Sequence, residues 1–200
     1  MVDEGGLIEA AVADAAMAGE DESGDLHLIA PHPGGVLVAA IDGLGHGVEA
    51  AEAARTARST LAASPGADLT DLVVRAHSAL ARSRGVVMSL AAFGPGGSLT
   101  WLGVGNVEGT LVRADERPAR RADSILLLGG VVGFQLPRLR PSTRAVEPGD
   151  LLILATDGIA AGYLPELDPA ADPKALADRI LARYGRGGDD ALVVVARYLG

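Results

Sequence analysis

Apolar residues recur along this chain with two periods, and the changes between them mark its elements. Residues 36–41 (VLVAAI) form an apolar run too short for a buried helix and end at Asp42-Gly43, which predicts a buried strand. Upstream, residues 6–17 and 26–30 predict two strands joined by an acidic turn over 19–24. From Val48 to about Ala63 the chain is Ala-rich and predicts a helix, with Glu52 three residues before Arg55 on its expected exposed face and Pro65-Gly66 as its stop. Leu69, Leu72, Val73, Ala76 and Leu80 recur at spacings of three and four behind an Asp68 N-cap, the pattern of an amphipathic helix. Beyond Gly85 the runs 86–93, 98–104 and 107–113 are punctuated by glycine and predict a β-meander. Residues 115–123 are charged and contain Pro118, so a surface loop is expected there; 126–128 and 142–146 predict two further short strands. After the turn Pro148-Gly149-Asp150, residues 151–155 repeat the short apolar run and end at Asp157-Gly158. Asp172 and Pro173 open a third helix through Leu176, Ile180, Leu181 and Tyr184 that closes at Gly185, and 191–198 predict a last strand.

Strands grouped around paired helices, without strict βα alternation, point to an α+β sandwich and away from a doubly wound parallel sheet. Two hundred residues with 48% hydrophobic content suit one domain spanning 1–200, and no repeat or low-complexity linker divides it. The net charge of −9 and six aromatics weigh against a nucleic-acid partner, because phosphate backbones are repelled and no stacking platform is available. The absence of cysteine excludes disulfides and thiolate metal sites and suits a reducing cytoplasm. No apolar run reaches membrane-spanning length, and the acidic N-terminal stretch does not fit a secretory leader, so neither membrane association nor secretion is expected.

Chemistry concentrates where strands meet glycine. Asp25 follows Ser23-Gly24, Asp42 precedes Gly43, Asp157 precedes Gly158 and Asp189 follows Gly187-Gly188. Two of these units, AAIDG and LATDG, share one form, an apolar strand running directly into Asp-Gly. Glycine after the carboxylate permits a sharp turn and leaves a backbone carbonyl as a further oxygen ligand. Taken singly, Asp-Gly is a common turn dipeptide. Four such carboxylates at the end of one core would repel one another, and an oxygen-only set suits Mg²⁺ or Mn²⁺ better than Zn²⁺. His46, four residues beyond Asp42 in the turn Gly43-Leu44-Gly45-His46-Gly47, could reach the same cleft for proton transfer or could cap the following helix. That turn lacks the spacing of a dinucleotide-binding loop, since Val48 stands where the third glycine would fall. His27, His32 and His77 share no metal-ligand spacing, and Trp101 and Phe93 read as core.

The combination of Ser23-Gly24-Asp25, Asp42-Gly43-Leu44-Gly45-His46-Gly47, Thr156-Asp157-Gly158-Ile159 and Asp189-Asp190 resembles the SpoIIE branch of the metal-dependent protein phosphatases of the 2C type. The stretches Arg84-Gly85-Val86-Val87 and Leu102 to Glu108 are similar, more narrowly, to its small stand-alone serine phosphatases of the RsbX kind. The resemblance implies two antiparallel β-sheets flanked by helices in α-β-β-α layers, with a pair of Mn²⁺ or Mg²⁺ ions at one edge. It implies that Asp42 bridges both ions, that the Gly43 carbonyl binds one, that Asp157 and Asp189 bind the other, and that Asp25 acts through a water. Catalytic roles would then fall to Asp42 and Asp25, with His46 or water as the acid for the leaving group; Asp190 need not be a ligand. The implied reaction is hydrolysis of phosphoserine or phosphothreonine on a STAS-domain regulator, an anti-sigma antagonist or stressosome component, by a cytoplasmic enzyme expected to be monomeric. The competing expectation is a phosphatase-like scaffold without activity.

Overall fold

Among the described residues, 6–20, 22–114 and 122–200, the computed structural model forms eleven strands and three helices. The strands are β1 (Ile8–Ala15), β2 (Asp25–His32), β3 (Gly35–Gly43), β4 (Val86–Gly94), β5 (Ser98–Val104), β6 (Glu108–Val112), β7 (Ala122–Ser124), β8 (Leu127–Leu128), β9 (Ser142–Ala145), β10 (Leu151–Ala155) and β11 (Ala191–Tyr198). The helices are α1 (Val48–Ala62), α2 (Leu69–Ala79) and α3 (Pro173–Tyr184). One sheet runs β1-β11-β10-β6-β7, and the other β2-β3-β4-β5-β8 with β9 also paired to β5.

Three apolar clusters give the layers. The central one joins the inner faces of both sheets through Val36, Val38, Phe93, Trp101, Leu152, Leu154, Leu192 and Val194. A second packs Leu37, Ala39 and Ile41 under α1 and α2, and a third packs Ile153, Val193 and Val195 under α3. The order is therefore α-β-β-α, and the period-2 alternation of each strand decides which side chains enter which layer. Helix α1 lies close to its sheet because the face it buries is almost entirely alanine, from Ala50 to Ala57, with Leu61 at the end. Asp68 caps α2 by accepting from the Thr70 N–H at 2.7 Å, and Asp172 caps α3 by accepting from the Ala175 N–H at 2.9 Å, as the sequence predicts.

Three local expectations are corrected. The second sheet is not purely antiparallel, since β8 runs parallel to β5 over Gly103↔Leu127 and Val104↔Leu128. Residues 122–123 are not loop but part of β7, paired to β6; the Arg113 guanidinium holds the Asp123 carboxylate at 2.8 Å, so a charged edge residue is compatible with strand. The rest of that expected loop, 115–121, lies outside the described residues. The expected β-meander ends at β5, since β6 leaves for the other sheet and pairs there with β10 and β7. A short 3₁₀ turn at Leu164–Glu166 was not foreseen. No helix among the described residues is long and apolar enough to cross a membrane.

Candidate active site

The alternation that builds the core also builds the site. In β3, Val36, Val38 and Ala40 face the other sheet, and Asp42 continues the same parity where the strand ends. Asp25 opens β2 directly opposite Asp42 in the antiparallel ladder. Residues so paired share a face, with Cβ atoms about 4.5–5.5 Å apart. From the other sheet, Thr156 continues the inward series Leu152, Leu154 beyond β10, and Asp190 precedes the inward series Leu192, Val194 of β11. At this end the apolar inter-sheet core gives way to carboxylates.

Hydrogen bonds fix them. The Thr156 hydroxyl donates to Asp25 Oδ2 at 2.6 Å and accepts from the Leu192 N–H at 2.8 Å, tying the two sheets together. Asp190 accepts from the Met17 N–H at 2.8 Å through Oδ1 and from the Gly24 N–H at 2.7 Å through Oδ2, so this buried carboxylate is spent on backbone. Asp157 and Asp189 are exposed on the loops after β10 and before β11. Asn106 donates from Nδ2 to Asp157 Oδ2 at 2.8 Å. Asp42, Asp157, Asp189, Asn106 and His46 line one cavity of about 470 Å³. Asp25 is only 4% exposed and sits on Thr156. His46 stands exposed at the rim, its Nδ1 2.7 Å from Glu20 Oε1.

Both Asp-Gly units require their glycine for the same reason. A Cβ on Gly43 would stand 2.1 Å from the Ala50 carbonyl oxygen, and one on Gly158 would stand 2.0 Å from the Asp190 carbonyl oxygen. The first glycine lets β3 run under α1, and the second brings the Asp157 turn against the segment carrying Asp189. Gly45 and Gly47 have φ of +91° and +74°, the left-handed region that lets the loop turn back before α1.

Electrostatics show the convergence independently of any bound ion. Burial, and then Asp25, Asp157, Asp189 and Asp190, push the Asp42 carboxyl up to about 8. Burial pushes Asp25 up to about 7, aided by Asp190, Asp157 and Asp189 and opposed by the hydrogen bond from Thr156. None of these five carboxylates makes an ion pair with Lys or Arg among the described residues.

This surplus of negative charge has a thermodynamic sign. An unfolded aspartate titrates near pH 4, so between about pH 4 and pH 7–8 the folded state holds protons that the unfolded chain has released. The stability these groups contribute is fully present below pH 4 and is lost as pH rises through 7 to 8, a fall on the order of a few kcal/mol. Melting in EDTA is therefore expected at a lower temperature at pH 8.5 than at pH 5, with Mn²⁺ raising it more at pH 8.5. The pH slope should be shallower in Asp42→Asn, which leaves every other titrating group in place.

The donor set fits hard divalent cations in kind: carboxylate oxygens with adjacent backbone carbonyls, no thiolate, and buried negative charge without a basic partner. Among the described residues, no three His, Cys, Asp or Glu side chains stand close enough together to hold an ion unaided. Asp42, Asp157 and Asp189 share a cavity wall rather than a closed cage.

Of the residues singled out in the sequence, Asp42, Asp157, Asp189 and His46 border this cavity, and Gly43 and Asp25 lie directly behind it. Missed were Thr156, Asn106 and Glu20, the partners of Asp25, Asp157 and His46. A signal for Asn106 existed, because it stands in the stretch Leu102 to Glu108 that carried the resemblance, just after β5, whose Val104 pairs with Met88, next to the Val87 that faces Asp42.

The sequence profile of the family described as Stage II sporulation protein E (SpoIIE) matches residues 32–199. The chain belongs to the SpoIIE family: it is a protein phosphatase with the fold of the 2C-type enzymes. Among solved structures it is similar to a chain from work on the bacterial stressosome as a modular system adapted to control secondary messenger signaling. The identity is 29%, with TM-score 0.87 over 95% of this chain and 99% of that one. RsbX in complex with magnesium superposes with TM-score 0.86 at 21% identity over 99% and 98% of the two chains. The serine/threonine phosphatase PstP of Mycobacterium tuberculosis does so with TM-score 0.78 at 20% identity over 97% and 100%. A comparison with curated protein sequences finds no match.

Proposed function

We propose that this protein hydrolyses phosphoserine or phosphothreonine on a small STAS-domain regulator, using water activated at a centre of two Mn²⁺ or Mg²⁺ ions. The observation that carries the reading is the gathering of unneutralised aspartates from both sheets at and just behind one cavity, where burial first and mutual repulsion second raise Asp25 and Asp42 to about 7 and 8. RsbX has been solved with magnesium, and the catalytic domain of PstP with two manganese ions, which supports the choice of ions. The stressosome match and the likeness to RsbX support a substrate in a partner-switching pathway.

Asp42 and the Gly43 carbonyl, with Asp157 and Asp189, are the residues that would hold the ions, and Asp25 would act through a water. When bound, two hard cations supply positive charge for the phosphoryl oxygens and make water a competent nucleophile near neutral pH. Asn106 fixes the orientation of Asp157 and Thr156 that of Asp25. With its Nδ1 taken by Glu20, His46 has Nε2 left to carry a proton to the departing serine or threonine oxygen. No side chain needs to be phosphorylated along the way.

Hydrolysis of p-nitrophenyl phosphate with Mn²⁺ tests the reading. Turnover should appear with the metal, vanish in EDTA and return with excess Mn²⁺. A folded protein that binds Mn²⁺ and hydrolyses nothing would instead be the inactive scaffold.

A further inference from the structure

The most exposed large apolar side chain described is Phe134, at 82%, and its backbone is unusually well held for so exposed a residue. It sits on a turn closed by Val131 and Gln135, which exchange N–H to carbonyl bonds at 2.9 Å in both directions. The neighbouring Gly133 N–H donates to His77 Nδ1 on α2 at 3.0 Å, and Val132 exchanges two 2.9 Å bonds with Val86. Gly133 has φ +105°, and a Cβ there would stand 2.8 Å from Leu80 Cβ, so the turn is seated hard against the end of α2.

This turn lies at the catalytic end of the second sheet. Gly43 pairs with Val86 in the β3–β4 ladder, and Val86 pairs with Val132 on its other side. Two strand spacings place the turn about 10 Å from Gly43. Between them, Arg84 pairs with Glu49 and reaches Gly45 on the cavity rim.

Charge is segregated to the chain segments that build this part of the fold. Residues 72–107 and 124–146 contain no Asp or Glu but carry Arg75, Arg82, Arg84, Arg138, Arg140 and Arg144, in a chain of 17 basic and 26 acidic residues. These stretches supply α2 after the Asp71 of its first turn, and β4, β5, β8 and β9. Arg144 lies over the Trp101 ring, opposite Leu99 at the far end of β5, whereas Arg82, Arg138 and Arg140 are exposed and have no ion-pair partner among the described residues. Leu136 and Leu139 pack into the core beneath α2 and so hold Arg138 and Arg140 outward on the segment that follows Phe134.

We infer that this edge is a docking surface for the substrate, and that it selects an acidic phosphoserine-bearing segment with a large apolar residue seated on Phe134. The inference rests on the proposed phosphatase function and names the substrate class of that site. A rigid aromatic pays little ordering entropy on contact, and the arginines attract acidic residues that the remainder of the surface repels. An extended segment advances about 3.3 Å per residue, so the apolar residue belongs some three to five positions from the phosphoserine.

The probes are synthetic fluorescein-labelled phosphoserine peptides of about fifteen residues. One is acidic with leucine four positions from the phosphoserine, one is acidic with that leucine moved next to it, and one is neutral. Anisotropy in EDTA, where the probes are not turned over, should show the first binding about tenfold tighter than either other, with a preference over the neutral peptide that shrinks as salt rises. Phe134→Ala should remove the leucine-position effect and the double variant Arg138→Glu/Arg140→Glu the charge effect, both with unchanged melting temperature and unchanged turnover of p-nitrophenyl phosphate. Equal affinity for the three peptides, or variants that bind them as the parent does, overturns the docking surface. Loss of p-nitrophenyl phosphate turnover in the parent protein would strike the phosphatase reading instead, while the binding comparison still decides the surface.

Discussion

Asp42→Asn is expected to lower turnover of p-nitrophenyl phosphate at least about 10³-fold while the metal-free protein melts no lower than the parent, and higher at pH 8.5. The two halves of this result have one cause. Asp42 is largely withdrawn from water, and it faces Asp25 across the ladder and feels Asp157, Asp189 and Asp190, so its ionised form is strained in the metal-free protein, with its carboxyl pushed up to about 8. A neutral amide of the same shape relieves that repulsion at every pH above the range where the carboxyl is protonated. The same substitution removes the charge that would join two cations, and replacing a bridging anion by an amide weakens hard-cation binding far more than it disturbs packing. Differential scanning fluorimetry in EDTA, Mn²⁺ titration and a turnover assay separate the effects. If the variant keeps turnover, Asp42 is not the bridging ligand; if it melts well below the parent at pH 8.5, the carboxylates do not repel as the geometry requires.

Gly158→Ala should cost at least about 3 kcal/mol of stability, or prevent soluble expression, and abolish turnover in whatever folds. A Cβ at 2.0 Å from the Asp190 carbonyl oxygen cannot be absorbed by a side-chain rotation, because the obstacle is backbone. The segment that must yield carries Asp189, and it also carries Asp190, which anchors Met17 and Gly24. Gly188→Ala is the matched control two residues away from that anchor: a Cβ there meets nothing within 4 Å and its backbone is not left-handed, so melting should stay within about 0.5 kcal/mol of the parent. Thermal melts of the two variants decide the matter, and equal behaviour would mean that the Asp-Gly turn is not held by close approach.

Much of the layered fold was legible because each strand declared its own bounds and inward face locally. AAIDG and LATDG carry their inward parity, their end and their glycine within five residues, and Asp68 and Asp172 announce their helices through caps that bond two or three residues on. What escaped depends on partners that no local pattern encodes. The bond from Thr156 to Asp25 spans 131 residues, that from Asn106 to Asp157 spans 51, and that between His46 and Glu20 spans 26. Asp190 read as an idle neighbour of Asp189, yet its two backbone bonds, across 173 and 166 residues, are what hold the loop before β2 in place. The parallel β8 escaped for a related reason: two residues are too few to set a periodic signal, and their pairing follows from the route of the chain around them.

The sandwich has one further implication. Asp25 and Asp42 ride on one sheet and Asp157 and Asp189 on the other, with Phe93 and Tyr198 stacked across the divide at 5.9 Å between ring centroids. The enzyme is thus put together like a vernier, whose reading exists only while two scales stay aligned. On the proposed reading, a slip of one layer over the other, far smaller than unfolding, would part the two halves of the site.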